Sequence, residues 1–100
     1  MPFSIQVEGH RYSFLGPVTL NQLPPNSGVY MVMGSGGIPV YIGESANIWE
    51  RVNNHHHRER SWKYYGSGNS VRYVLIPNAS LRKKVEQAAI DKWNPPSNRT

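Results

Sequence analysis

The sequence predicts a small α+β domain in which an antiparallel or mixed sheet is flanked by helices. Three observations predict it. Short runs rich in β-branched and aromatic residues, some alternating with polar ones, recur between residues 3 and 42 and again over 71–76, which is the pattern of strands. Behind Ser45 and behind Asn78 the apolar spacing changes to the period of a helix. Turns and loops rich in glycine or proline separate many of these segments, so the order reads hairpin, hairpin, helix, strand, helix.

Each element has its own local cause. In FSIQVEGHRYSFLG, residues 3–16, Phe3, Ile5 and Val7 alternate with polar residues, the chain turns at Glu8-Gly9, and a second alternating run passes through Tyr12 and Phe14. This is an N-terminal hairpin. PVTLNQLPPNSG, residues 17–28, carries three prolines and no period, and reads as an ordered lead-in loop anchored by Leu20 and Leu23. A second hairpin follows in GVYMVMGSGGIPVYIGES, with strands over 29–33 and 38–42 and a glycine-rich turn at 34–37. Ser45 reads as the N-cap of a helix through ANIWERVNNHHHRER, with Ile48 and Val52 one turn apart on the inward side and Arg51 and His55 on the neighbouring face.

KYYGSGNS, residues 63–70, is turn-rich, and VRYVLIP then reads as a nearly continuous apolar strand, central in its sheet, that ends at Pro77. Asn78 caps a final helix, ASLRKKVEQAAIDKW, whose Leu81, Val85, Ala88, Ala89 and Trp93 form one stripe. NPPSNRT ends it. No internal repeat is present.

At 100 residues the chain is one domain, 1–100, with an N-terminal hairpin and lead-in over 1–27. A net charge of +5 with 38% hydrophobic residues describes a basic globule suited to a polyanionic partner. The absence of cysteine excludes disulfide scaffolds, thiol nucleophiles and sulfur-ligated zinc. Apolar runs are too short for a membrane span and no signal-peptide pattern opens the chain, so it reads as cytoplasmic, with no membrane partner.

Three consecutive histidines, 55–57, suggest a metal site, but consecutive helical residues point about 100° apart and cannot share one ion. The ordinary reading is a solvated helix end, where imidazoles sit favourably near the C-terminal dipole. His55 stands apart, because it follows Arg51 by one turn and the two can grip a single phosphate.

Four signals line up along the chain: GVY at 28–30, YIG at 41–43, RVNNH at 51–55, and Glu86 in the last helix ahead of Asn98. Together they resemble the GIY-YIG nuclease family, which includes the N-terminal catalytic domain of excinuclease C and certain homing endonucleases. The resemblance covers residues 28–98, and the N-terminal hairpin lies outside it.

The residues also make chemical sense on their own. Cleaving a phosphodiester needs a positioned water, a base for its proton, and positive charge for the phosphate and the leaving oxygen. Tyr30 and Tyr41, on neighbouring strands, can present two phenols to one spot, although each taken singly reads as core packing before chemistry. Arg51 supplies a permanent cationic fork, and His55 can donate to the phosphate or relay a proton. Glu86 projects to the edge of the buried stripe and is the candidate ligand for Mg2+ or Mn2+; the alternative is a helical salt bridge to Arg82 or Lys83. The resemblance implies a single-metal hydrolysis in which Tyr30 or Tyr41 activates or positions water, Arg51 and His55 neutralise the phosphate, Glu86 binds the ion, and Asn98 supports the site by hydrogen bonding. Asn94 is the rival for that last role.

Two departures matter. Val29 replaces the usual isoleucine of the first motif, a change between β-branched strand residues. Glu44 follows YIG where relatives carry uncharged or cationic residues, placing an anion beside the phosphate path unless Lys63, Arg58 or the metal offsets it. The glycine cluster at 34–37 joins strand to strand, not strand to helix, so it is not a nucleotide-binding loop.

The expected function is therefore a divalent-metal-dependent endonuclease acting on DNA. Arg58, Arg60, Lys63, Arg72, Arg82, Lys83 and Lys84 would track the backbone, and a protein partner, self-association or unusual DNA structure would supply specificity. The alternatives are a catalytically weak or inactive module of the same fold that only binds nucleic acid, and a basic RNA-associated adaptor.

Overall fold

The computed structural model describes residues 3–54 and 67–98. Strands β1 (Ser4–Val7) and β2 (His10–Ser13) pair antiparallel as the predicted N-terminal hairpin. Its turn residues, Glu8 and Gly9, have φ of 52° and 82°. A two-residue hairpin turn of type I′ takes positive values at both central positions. The hairpin forms a sheet of its own.

Among the described residues the main sheet has four strands: β3 (Leu15–Val18), β4 (Gly28–Gly34), β5 (Pro39–Ser45) and β6 (Ser67–Leu75), in the spatial order β3-β6-β4-β5, with every pair antiparallel. The lead-in segment is thus more than a loop, because its first residues form an edge strand against β6. Pro17 hid it. Proline cannot donate to a ladder, but an edge strand pairs on one side only and tolerates it. The remainder forms a 3-10 turn at Leu20–Gln22, and Leu23 is buried as expected.

Helix α1 (Ile48–Asn54) follows β5, and its cap is Asn47 instead of Ser45: Glu50 N donates to Asn47 Oδ1 at 3.0 Å. Ser45 belongs to the end of β5, and its hydroxyl accepts from Asn47 N at 3.0 Å and donates to Asn47 O at 3.1 Å. Strand β6 also starts earlier than its apolar run, at Ser67, because β4 supplies partners down to Gly34. It is flanked by β3 and β4, the central position its composition predicts. Helix α2 (Ala79–Trp93) is capped by Asn78 Oδ1, which accepts from Leu81 N at 2.9 Å. It stops at Asn94, which adopts the left-handed conformation (φ 47°, ψ 56°), and a 3-10 turn, Pro96–Asn98, returns the chain to β5.

Strand alternation sorts the core onto two faces. Val29, Met31, Met33 and Ile42 point to one side, where Val85 and Ala89 of α2 join Ile5 and Phe14 from the N-terminal segment. Tyr30, Val32 and Val71 point to the other, against Ile48 and Val52 of α1 and Leu23. β4 is buried on both faces for that reason.

Candidate active site

The paired strands β4 and β5 carry both motif tyrosines on the α1 face. Tyr30 lies opposite Gly43 in the ladder and Tyr41 opposite Val32, so the two phenols are diagonal neighbours. Their ring centroids are 6.0 Å apart with the planes tilted by 38°. Tyr30 is fully buried, while Tyr41 is half-buried at the border of the cluster.

Gly43 explains how a buried tyrosine fits there. A Cβ at position 43 would lie 2.5 Å from the Tyr30 hydroxyl oxygen and 2.6 Å from Cζ, so the ring lies over the glycine. Gly28 has a similar role on the other side of β4: a Cβ there would come within 2.4 Å of Val74 O. Both motif glycines permit close approach.

α1 brings Arg51 to the same side. Ile48 and Val52 seat the helix on the tyrosine-bearing face, and Arg51, half-buried, precedes Val52 directly. His55, one turn further, lies outside the described residues, as do Arg58, Arg60 and Lys63.

Glu86 stands on α2, which packs on the opposite face and along β5, the free edge of the sheet. It is half-buried, at the edge of the stripe that holds Val85 and Ala89, as its helical projection predicts. Asn98 closes the same edge: its Oδ1 accepts from Ile42 N at 2.7 Å and its Nδ2 donates to Ile42 O at 2.8 Å. A single side chain thereby pairs with β5 as a further strand would, and it fixes the main chain between Tyr41 and Gly43.

The other basic residues divide by environment. Lys83 is exposed, and Lys84 is exposed in a surface pair with Glu8 at 2.7 Å. Arg72 instead stacks on Phe3, with its Cζ 4.9 Å from the ring centroid, and donates through Nη1 to Gly16 O at 3.0 Å. Arg82 is buried, and its Nε donates to Glu44 Oε1 at 2.9 Å. Its place among DNA-tracking residues is corrected accordingly, since its charge is directed into the protein. The signal was in the sequence: Arg82, Val85, Glu86 and Ala89 share one helical face, so Arg82 projects onto the buried stripe.

That contact also answers the doubt attached to Glu44, whose charge is met by Arg82. The pair joins residues 38 positions apart, which no local pattern reveals.

Among the described residues no three His, Cys, Asp or Glu side chains cluster as a metal cage. One half-buried carboxylate suits Mg2+, which keeps several waters and binds through one or two carboxylates with phosphate completing its shell. Among the same residues, no helix is long and apolar enough to cross a membrane.

An antiparallel sheet carrying paired tyrosines, with helices packed on both faces among the described residues, is the fold of a GIY-YIG endonuclease domain, and the chain has that fold. It is similar to the GIY-YIG N-terminal endonuclease domain of UvrC from Thermotoga maritima bound to its catalytic divalent cation, magnesium. The TM-score is 0.65 at 21% identity, over 80% of this chain and 91% of that one. Two point mutants of that domain, also bound to the cation, match at TM-scores of 0.66 and 0.64 with 19% and 21% identity, each over 81% of this chain and 91% of theirs. No family model and no curated protein matches the sequence.

Proposed function

We propose that the protein is a divalent-metal-dependent endonuclease that hydrolyses phosphodiester bonds in DNA. The observation that carries the proposal is the pair of phenols on β4 and β5, 6.0 Å apart beneath the helix that bears Arg51, in a fold shared with a magnesium-bound endonuclease domain.

Tyr41, at the border of the cluster, meets the substrate, and the buried Tyr30 holds it from behind. One of the two phenols orients the attacking water or takes its proton. Arg51 donates its fork to a non-bridging oxygen, where negative charge grows as the bond breaks. His55 donates to the same phosphate or relays the proton. Glu86 would hold the magnesium ion, and Asn98 keeps Tyr41 and Gly43 in register by gripping Ile42 between them. When bound, the ion supplies Lewis-acid neutralisation of the phosphate and the leaving oxygen. Lys83 and Lys84 extend the cationic surface toward the DNA backbone.

An unpaired Glu44 beside the phosphate path would favour a module of this fold that only binds nucleic acid. The pairing of that carboxylate with Arg82 supports the enzyme reading, because the charge is met within the protein. The test is incubation with supercoiled plasmid, with and without magnesium. Nicking by the parent that disappears with chelator and in Glu86→Ala is the expected result, and Arg51→Ala should lower the rate by roughly 10²–10³-fold, as loss of a transition-state contact does. Plasmid that is bound but never cut under any divalent ion would refute the enzyme reading.

A further inference from the structure

Arg82 and Glu44 form an ion pair with little access to water. The Nε–Oε1 distance is 2.9 Å, and the two side chains are only 9% and 19% exposed. Arg82 also donates through Nη1 to Pro77 O at 2.9 Å and to Ile76 O at 3.4 Å. One guanidinium thus ties the end of β5, the turn after β6 and the start of α2 to one another. Such pairs add little net stability over well-packed apolar residues, and their best-attested use is to fix register.

The register in question is that of Glu86. It lies four residues after Arg82 on the same face of α2, about 6 Å further along the helix axis. From Glu44 back to Ile42 the strand covers about 6.6 Å. α2 turns back over the sheet from the end where β6 stops, and its Val85 and Ala89 reach the cluster that holds Ile42. The two rises are nearly equal, so pinning Arg82 to Glu44 directs Glu86 toward the level of Ile42, between Tyr41 and Gly43 in the sequence. A slip of α2 at the clamp would shift the Glu86 carboxylate by the same amount.

We infer that the Glu44–Arg82 pair is a positioning device that sets where Glu86 presents its carboxylate to a divalent cation. Glu44 is then a positioning residue and not a charge that repels substrate. The inference rests on the metal-binding role proposed for Glu86.

The test uses Mn2+ as a paramagnetic probe of the full chain without DNA. Broadening of the backbone amides of Tyr41, Gly43 and Glu86 is followed by NMR in the parent, Glu86→Ala, Glu44→Gln and Glu44→Ala, with thermal midpoints measured alongside. The parent broadens at these amides and Glu86→Ala does not. Glu44→Ala needs roughly 10–100-fold more Mn2+ for equal broadening, the range found when groups that orient a metal ligand are removed. Glu44→Gln, which keeps an acceptor for Arg82 Nε, falls between it and the parent, and it carries the test if the alanine variant fails to fold. The Mg2+ needed for half-maximal nicking moves by the same factor in each variant, with DNA affinity unchanged.

Broadening of both Glu44 variants at the parental Mn2+ concentration, with Glu86→Ala silent, overturns the inference and leaves the metal role of Glu86 standing. A parent that shows no broadening at these amides removes both. Tighter DNA binding by Glu44→Gln with an unchanged Mn2+ titration would make Glu44 a repelling charge, and also overturns the inference.

Discussion

Replacing Gly43 by alanine puts a methyl group where Tyr30 already is. The added Cβ would sit 2.5 Å from the hydroxyl oxygen and 2.6 Å from Cζ. Carbon atoms pack at about 3.5–4.0 Å, so the ring would have to retreat by roughly 1 Å. Tyr30 is completely buried among Val32, Ile48 and Val71, and its ring has nowhere to go without displacing them. Overpacking of this kind costs about 1–3 kcal/mol. In a domain of this size each kcal/mol lowers Tm by about 4–8 °C. The hydroxyl moves with the ring, so cleavage should fall more than the loss of folded protein explains. Urea denaturation measures the first effect, and plasmid nicking well below the midpoint measures the second. A double-mutant cycle isolates the cause. In a Tyr30→Leu background the clash is gone, and Gly43→Ala should then change stability by no more than about 0.5 kcal/mol. If Gly43→Ala unfolds at the parental urea concentration, or costs as much without the Tyr30 ring as with it, the packing argument for the YIG glycine is wrong.

Other predictions concern the edge and the surface. Asn98→Ala removes both bonds to Ile42 and leaves a part-buried strand edge unpaired, so a loss of about 1–3 kcal/mol is expected, with a larger relative loss of cleavage; equal stability in urea would argue against the clasp. Lys83→Ala should reduce the salt slope of DNA binding by about one unit, whereas Arg72→Ala should leave the slope unchanged and lower Tm, because its guanidinium is held by Phe3 and Gly16. Titrations of DNA affinity against salt separate the two.

The elements with strong local causes were legible in the sequence. The Glu8-Gly9 turn, the glycine-joined second hairpin, the apolar run of β6 and the Asn78 cap each depend on neighbours within a few residues. What escaped depends on distant partners. β3 is a strand because β6 offers it an edge, and its own proline argues otherwise. Ser45 is the first polar residue of SANIW, but it is still paired across the ladder with Gly28, so the helix waits for Asn47. At the site, Tyr30, Tyr41 and Glu86 could be nominated by residue type and spacing. The choice of Glu44 as the partner of Arg82 and the seat that Gly43 makes for Tyr30 required the third dimension.

The Asn98 clasp also bears on how the molecule is made. Its two bonds join residues 56 positions apart, whereas the β4–β5 hairpin that displays the tyrosines pairs strands that follow one another in the chain. Closing the edge of β5 therefore waits on the segment behind α2, while the ladder that displays the tyrosines is built from strands adjacent in the chain.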